Sequence, residues 1–207
     1  MCLIVGAVAW EHPEWCDQFY PDDLPPEWRL TYYANEFPQL LLPAAVWMAG
    51  RTEQFCDWRD DVPDGFRFVL DVTGLDMDDG RALTPLQRGV SALGERLAGV
   101  VSWSAVSSRA EDALRVLLGE ARFLAARTGL TSMDPEVQLA RDGEVWCLLV
   151  PSSVGRDLKR LRWVLGALIQ QSTPLSCIRL FVTGEPPEVQ VMRETGVLWQ
   201  LLAGLER

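Results

Sequence analysis

Apolar runs of strand length alternate with segments that repeat apolar residues at helical spacing along most of this chain. Cys2–Ala9 is nearly continuous apolar, the pattern of a strand buried on both faces. The aromatic loop Trp10–Pro21 follows. Asp22, Asp23, Pro25 and Pro26 then open a helix predicted over Trp28–Phe37 and stopped by Pro38. A second buried strand is predicted from Leu40 to about Trp47, broken by Gly50. Thr52–Arg59 reads as a short helix with Phe55 and Trp58 on one side, and Asp64-Gly65 turns the chain into a third strand, Phe66–Val72. Thr73–Arg81 reads as a solvated loop. Its acids Asp76, Asp78 and Asp79 lack the glutamate that an EF-hand needs at its twelfth position.

Thr84-Pro85-Leu86-Gln87 has the form of a capping box. It predicts a helix to Leu97, stopped by Gly99, before a fourth strand at Val100–Ala105. Ser108-Arg109-Ala110-Glu111 is a second such box, opening a helix to Arg127 with Gly129 at its carboxyl end. The rhythm then changes. Val137–Ala140 and Glu144–Val150 flank Asp142-Gly143 as a β-hairpin. Ser152 or Ser153 caps a helix to Gln171, Ile178–Val182 is the last strand, and Glu185–Leu205 is mostly helical. The predicted fold is α/β and TIM-barrel-like, with a mainly parallel sheet and a hairpin near 137–150. Six or seven strands are counted where a closed barrel of the common type has eight. The barrel is therefore expected to be shortened or imperfectly closed, or to hide one strand. The 207 residues fit one domain, 1–207.

Charge narrows the partners. With 19 basic and 29 acidic side chains the net charge is −10, a field that repels phosphate backbones, so no nucleic-acid partner is expected. No apolar run reaches the roughly 18 residues of a membrane span, and Met1–Ala9 lacks the features of a signal peptide. The five cysteines are scattered and there is one histidine, which gives no zinc-ligand spacing and suits a reducing cytoplasm. No phosphate-loop, dinucleotide or nucleophile-elbow motif occurs, and no cofactor is expected.

The first third of the chain resembles the YecE-like family, domain of unknown function 72, whose fold is TIM-barrel-like. The resemblance rests on Gly6-Ala7-Val8-Ala9-Trp10, Trp15, Phe19-Tyr20-Pro21, Tyr33-Ala34, Phe37, Trp58 and Pro63-Asp64-Gly65-Phe66-Arg67-Phe68, in order over residues 4–72. Leu97-Ala98-Gly99-Val100-Val101 is similar to its fourth-strand region. The departures are polar. The family's Val-Glu-x-Asn on the second strand is replaced around Leu40–Trp47, its third-strand lysine by Leu70-Asp71, its Gln-x-Pro-Pro by Ser102-Trp103-Ser104-Ala105, and its late Phe-Asn-Asn by Phe181-Val182-Thr183. The resemblance thus implies a bacterial-type barrel that has lost the polar groups of its mouth.

Three titratable groups fall at strand ends and are the acid–base candidates: Glu11, His12 and Asp71. Cys16 lies among Glu11, Glu14 and Asp17, which oppose a thiolate. Trp10, Trp15, Tyr20, Trp47 and Trp103 either line a ligand pocket near the mouth or fill it as core. Arg156, Lys159, Arg160 and Arg162 make one basic helix, either a partner-binding face or a solvated one. These signals lean away from an enzyme. They favour a non-catalytic binding or protein-interaction module, with a protein partner or a small-molecule ligand. The alternatives are a hydrolase-type barrel enzyme and a small-ligand sensor with an aromatic pocket.

Overall fold

The apolar strands pair edge to edge until no edge is left. A computed structural model describes residues 1–77, 81–119, 121–126 and 134–205. Its strands close into a barrel in chain order: β1 (Cys2–Val8), β2 (Gln39–Leu42), β3 (Arg67–Asp71), β4 (Leu97–Ser102), β5 (Arg122–Ala125), β6 (Gln138–Asp142), β7 (Val145–Pro151) and β8 (Cys177–Thr183). All neighbours are parallel except β6, which runs antiparallel to both β5 and β7. Helices α1 (Trp15–Gln18), α2 (Arg29–Glu36), α3 (Ala44–Trp47), α4 (Thr52–Asp60), α5 (Leu83–Leu93), α6 (Ser108–Leu118), α7 (Ser152–Arg156), α8 (Leu158–Gln171) and α9 (Val189–Leu205) complete the chain. None is long and apolar enough to cross a membrane, among the described residues.

Successive strand residues point to opposite faces, so each strand feeds two cores. Leu41, Val69, Val101, Leu124, Ala140, Cys147 and Phe181 fill the barrel interior. Their neighbours Leu40, Leu70, Val100, Leu148 and Leu180 face outward, into the layer that Leu86, Leu114 and Leu165 cover from the helices. This double burial explains why the strands read as continuous apolar runs.

Several boundaries differ from the sequence expectation. The barrel is closed, and the unrecognised strand is β5, inside the helix expected from Ser108 to Arg127. That helix ends at Leu118, where Gly119 adopts a φ of 58°. The apolar spacing Leu114, Leu118, Ala121, Ala125 runs on through the break and hides it. Arg127 and Gly129, expected at its end, lie outside the described residues. The strand expected from Leu40 to Trp47 stops at Leu42, and Pro43 precedes α3 instead. The helix expected to reach Leu97 ends at Leu93 with Gly94 at a φ of 50°, so Leu97 and Gly99 belong to β4. Thr84 does not cap, since α5 begins at Leu83 with no side-chain cap bond. Ser107, one residue before the expected box, accepts from the Ala110 N–H at 3.0 Å. The helix expected from Ser152 to Gln171 is two helices, parted at Asp157, whose carboxylate accepts from the N–H groups of Lys159 and Arg160. The hairpin is present as β6 and β7.

The β1–β2 seam has only two register pairs, Ala7↔Leu40 and Val8↔Leu41. A buried phenol extends it. The Tyr33 hydroxyl accepts from the Ala7 N–H at 2.7 Å and donates to the Gln39 carbonyl at 2.8 Å. Burial holds that hydroxyl far above its ordinary pKa, so it stays a donor. Gly6 allows the approach, because a Cβ there would stand 2.3 Å from the Gln39 carbonyl oxygen. Tyr33→Phe is expected to strand both backbone groups, at about 1–3 kcal/mol each. In urea the unfolding midpoint should fall with the slope unchanged.

Candidate functional site

Barrels of this kind place their chemistry at the carboxyl ends of the strands. Here that rim divides into two halves. Over β2, β3 and β4 it is closed. The Trp47 indole N–H donates to the Asp71 carbonyl at 2.9 Å, and the Trp103 indole N–H donates to the Asp71 carboxylate at 3.1 Å. The other carboxylate oxygen accepts from the Thr73 N–H at 2.8 Å, and the Thr73 hydroxyl oxygen accepts from the Trp103 N–H at 2.9 Å. Trp47 is fully buried, and Trp103 packs onto the interior layer.

The other half is open. An open cavity of about 1340 Å³ lies over the ends of β1, β7 and β8. Its walls include Ala9, His12, Glu14, Ser153, Arg156, Glu185 and Gln190. Ala9 turns the chain out of β1 at a φ of 58°, a strained setting for a residue with a Cβ. The turn sends Trp10 outward against Trp58, with centroids 5.2 Å apart at 82°. Trp15 is buried, stacks on Tyr33 and donates its indole N–H to the Pro187 carbonyl at 2.9 Å. This bond ties the β1 loop to the β8–α9 connection, and the cavity lies beside it.

The sequence candidates do not converge. His12 donates from Nε2 to the Val8 carbonyl at 2.8 Å and rests against Trp15, which leaves Nδ1 as an acceptor. Glu11 lines a separate groove with Trp28 and Trp58, on the far side of Trp10. Asp71 is held in the closed half. Trp10, Trp15, Tyr20 and Trp47 are buried as core, and the Tyr20 hydroxyl donates to the Trp10 carbonyl at 2.8 Å. Cys16 is a free, half-buried thiol on α1. Among the described residues no cluster of three His, Cys, Asp or Glu side chains is placed to hold a metal.

The basic residues also separate. Arg156 enters the mouth cavity and pairs with Glu188 at 3.0 Å. Arg160 grips Asp134 through two bonds of 2.9 and 2.7 Å and reaches Glu136 at 2.7 Å, fastening the approach to β6 onto α8. Lys159 and Arg162 line a shallow groove beside Trp163. The sequence reading missed Ser153, Glu185 and Gln190 in the mouth. Their position just beyond the apolar strands β7 and β8 was the available signal.

The fold and rim allow comparison with known proteins. Residues 4–101 match the family model described as Protein of unknown function DUF72. The amino-terminal part of this chain, residues 4–101, is similar to DUF72. The match contains both stretches that resemble the YecE-like family, 4–72 and Leu97–Val101. A DUF72 family protein from Thermotoga maritima superposes with a TM-score of 0.61 at 14% identity, over 100% of both chains. One from Enterococcus faecalis gives a TM-score of 0.58 at 10% identity, over 98% of this chain and 97% of its own. At these identities the likeness is one of fold. No curated protein matches the chain. DUF72 is a family of unknown function, so the match carries no reaction with it.

Two outcomes follow from these contacts. Asp71→Ala should release the Trp103 indole, shift its fluorescence to the red and cost about 1.5–3 kcal/mol, the worth of hydrogen bonds to a charged group. Arg160 holds the Asp134 carboxyl below its ordinary pKa, chiefly by hydrogen bonding. A carboxyl lowered on folding stabilises above its unfolded value, near 3.9, and loses that contribution as pH falls through the folded value. Asp134→Asn should therefore lower stability at neutral pH and leave a shallower loss on acidification below about pH 4, read by urea titration across pH.

Proposed function

We propose that this DUF72-type barrel is a non-catalytic binding module that takes a small polar ligand in the cavity over β1, β7 and β8. The bonding of Asp71 carries the reading. Acid–base catalysis needs two titratable groups held together with one of them free to exchange a proton with substrate. Asp71 spends both carboxylate oxygens on Thr73 and Trp103, under a fully buried Trp47. His12 is bonded to Val8, and Glu11 faces another groove. The open half of the rim offers hydrogen-bonding groups instead: the acceptor nitrogen of His12, Glu185, and the oxygens of Ser153 and Gln190, which keep acceptor capacity while their donors bond to Glu136 and Glu194. That set favours a hydroxylated or amide-bearing molecule over an apolar one.

A thermal-shift panel of amino acids, sugars and sugar phosphates tests the reading. A ligand that binds should raise the wild-type melting temperature by about 2–4 °C or more. It should raise that of Gln190→Trp less, since the larger side chain obstructs part of the cavity and removes the amide, and it should be recovered chemically unchanged. Equal shifts in both proteins would move the site elsewhere, and conversion of the ligand would make the protein an enzyme.

A protein-interaction reading is favoured by a separate observation. Trp163 is 55% exposed on α8 and shares a groove with Lys159 and Arg162. Exposed Trp flanked by cations is the composition of binding hot spots. A partner captured by the wild type and retained equally by Trp163→Ala would remove this face from consideration.

A further inference from the structure

The opposite, amino-terminal end of the barrel holds a pair of thiols that the proposed binding function does not use. Cys2 opens β1 and Cys177 opens β8, and they are direct register partners at the seam where the barrel closes on itself. Adjacent strands lie about 4.7–4.9 Å apart, inside the 4.4–6.8 Å window that a disulfide requires between Cα atoms. Register partners on adjacent strands present their side chains to the same face, so the two thiols lie on one side of the seam. Both are free, Cys2 exposed and Cys177 half-buried. Their backbone is fixed independently of the sulfurs. The Cys2 N–H donates to the Ser176 carbonyl at 3.0 Å and the Cys177 N–H to the Glu144 carbonyl at 2.9 Å.

The surroundings divide the labour between them. Burial pushes the Cys177 thiol up, while the Arg179 and Arg122 guanidinium groups oppose that shift. Arg179 lies two residues further along β8, bonded to the Gln39 side chain at 2.9 Å, and no carboxylate pairs with it among the described residues. Cys2, the accessible thiol, is positioned to meet an oxidant, and Cys177 to resolve the product. The remaining cysteines do not share this arrangement: Cys147 is buried in the barrel interior, and Cys16 and Cys56 sit on α1 and α4.

We propose that Cys2 and Cys177 form a redox-active pair that a hydroperoxide converts to a disulfide across the β1–β8 seam. The Cys2 thiolate attacks one peroxide oxygen. The O–O bond breaks, a sulfenic acid forms on Cys2, and the other oxygen leaves as hydroxide or alkoxide and takes a proton. Cys177 then loses its proton and attacks the Cys2 sulfur. The S–S bond forms, the S–O bond breaks, and water departs. Two thiols and one hydroperoxide yield one disulfide, one water and one alcohol, or a second water when the oxidant is hydrogen peroxide. The two electrons pass from the sulfurs to the peroxide. The product welds the first strand to the last, and a thiol reductant reverses it.

The full chain, treated with one equivalent of hydrogen peroxide and alkylated after denaturation, tests the pairing by mass spectrometry. The expected product has lost two hydrogens, carries three alkylated cysteines instead of five, and gives a cross-linked peptide pair joining positions 2 and 177 that dithiothreitol separates. Cys2→Ser, an exposed position that leaves the fold intact, and Cys177→Ser should each abolish the loss. Cys56→Ser should not. Five alkylated thiols after treatment, oxygen added to sulfur without the cross-link, or a disulfide that persists in Cys2→Ser would overturn the proposal.

Discussion

A buried phenol between two backbones holds the closure of this barrel at its first seam. β1 meets β8 over six register pairs but β2 over only two, so the ladder at that seam is incomplete. The Tyr33 hydroxyl supplies the missing rung by accepting from Ala7 and donating to Gln39. Buried backbone groups must be paired, and here a side chain from α2 does it. The condition propagates. Gly6 must lack a Cβ so that Gln39 can approach, and the Gln39 amide donates to the Ile4 and Leu180 carbonyls, joining β1, β2 and β8. Trp15 stacks on Tyr33 and bonds to Pro187, which places the wall of the mouth cavity. Gly6, Trp15 and Tyr33 all lie within the residues that match the DUF72 model. Their shared property is closure of the barrel, and no proton transfer is needed to explain them.

The same packing accounts for the chemistry of the rim. Over β2–β4 the rim is filled by Trp47 and Trp103. An indole carries one N–H that seeks a partner when buried. Both indoles find theirs on Asp71, Trp47 on its backbone carbonyl and Trp103 on its carboxylate, so a group that reads as a candidate base is an acceptor for an indole. The open half of the rim combines the loop after β1, inside the family match, with the segments after β7 and β8, beyond it.

The clearest local signals were those whose physics is local. The β6–β7 hairpin was legible because Gly143 takes a φ of 56° at the turn between two apolar runs. β1, β3 and β8 were legible because burial on both faces leaves few polar interruptions, with Arg179 the one charge inside β8 and Arg67 and Asp71 confined to the ends of β3. β5 was not. Its four residues continue the helical spacing of α6, and only Gly119 marks the change. The cap of α6 was one residue out, since Ser107 and Ser108 are equivalent by composition and the backbone decides between them. The basic helix was read as one face because its charges are close in sequence. Asp134 and Glu188, which neutralise Arg160 and Arg156, are distant in sequence and arrive only on folding.

By itself, the order of residues determined the α/β class, most strands, the hairpin and the family resemblance. Each of these rests on periodicity, turn chemistry or motif order within short windows. Tertiary structure alone decided that the barrel closes with eight strands, that the aromatics of the first loop are core, and that Glu11, His12 and Asp71 stand apart. It also decided which end of the barrel brings two thiols together. All of these depend on the register and tilt of strands that meet only when the first pairs with the last. No window of sequence contains that geometry.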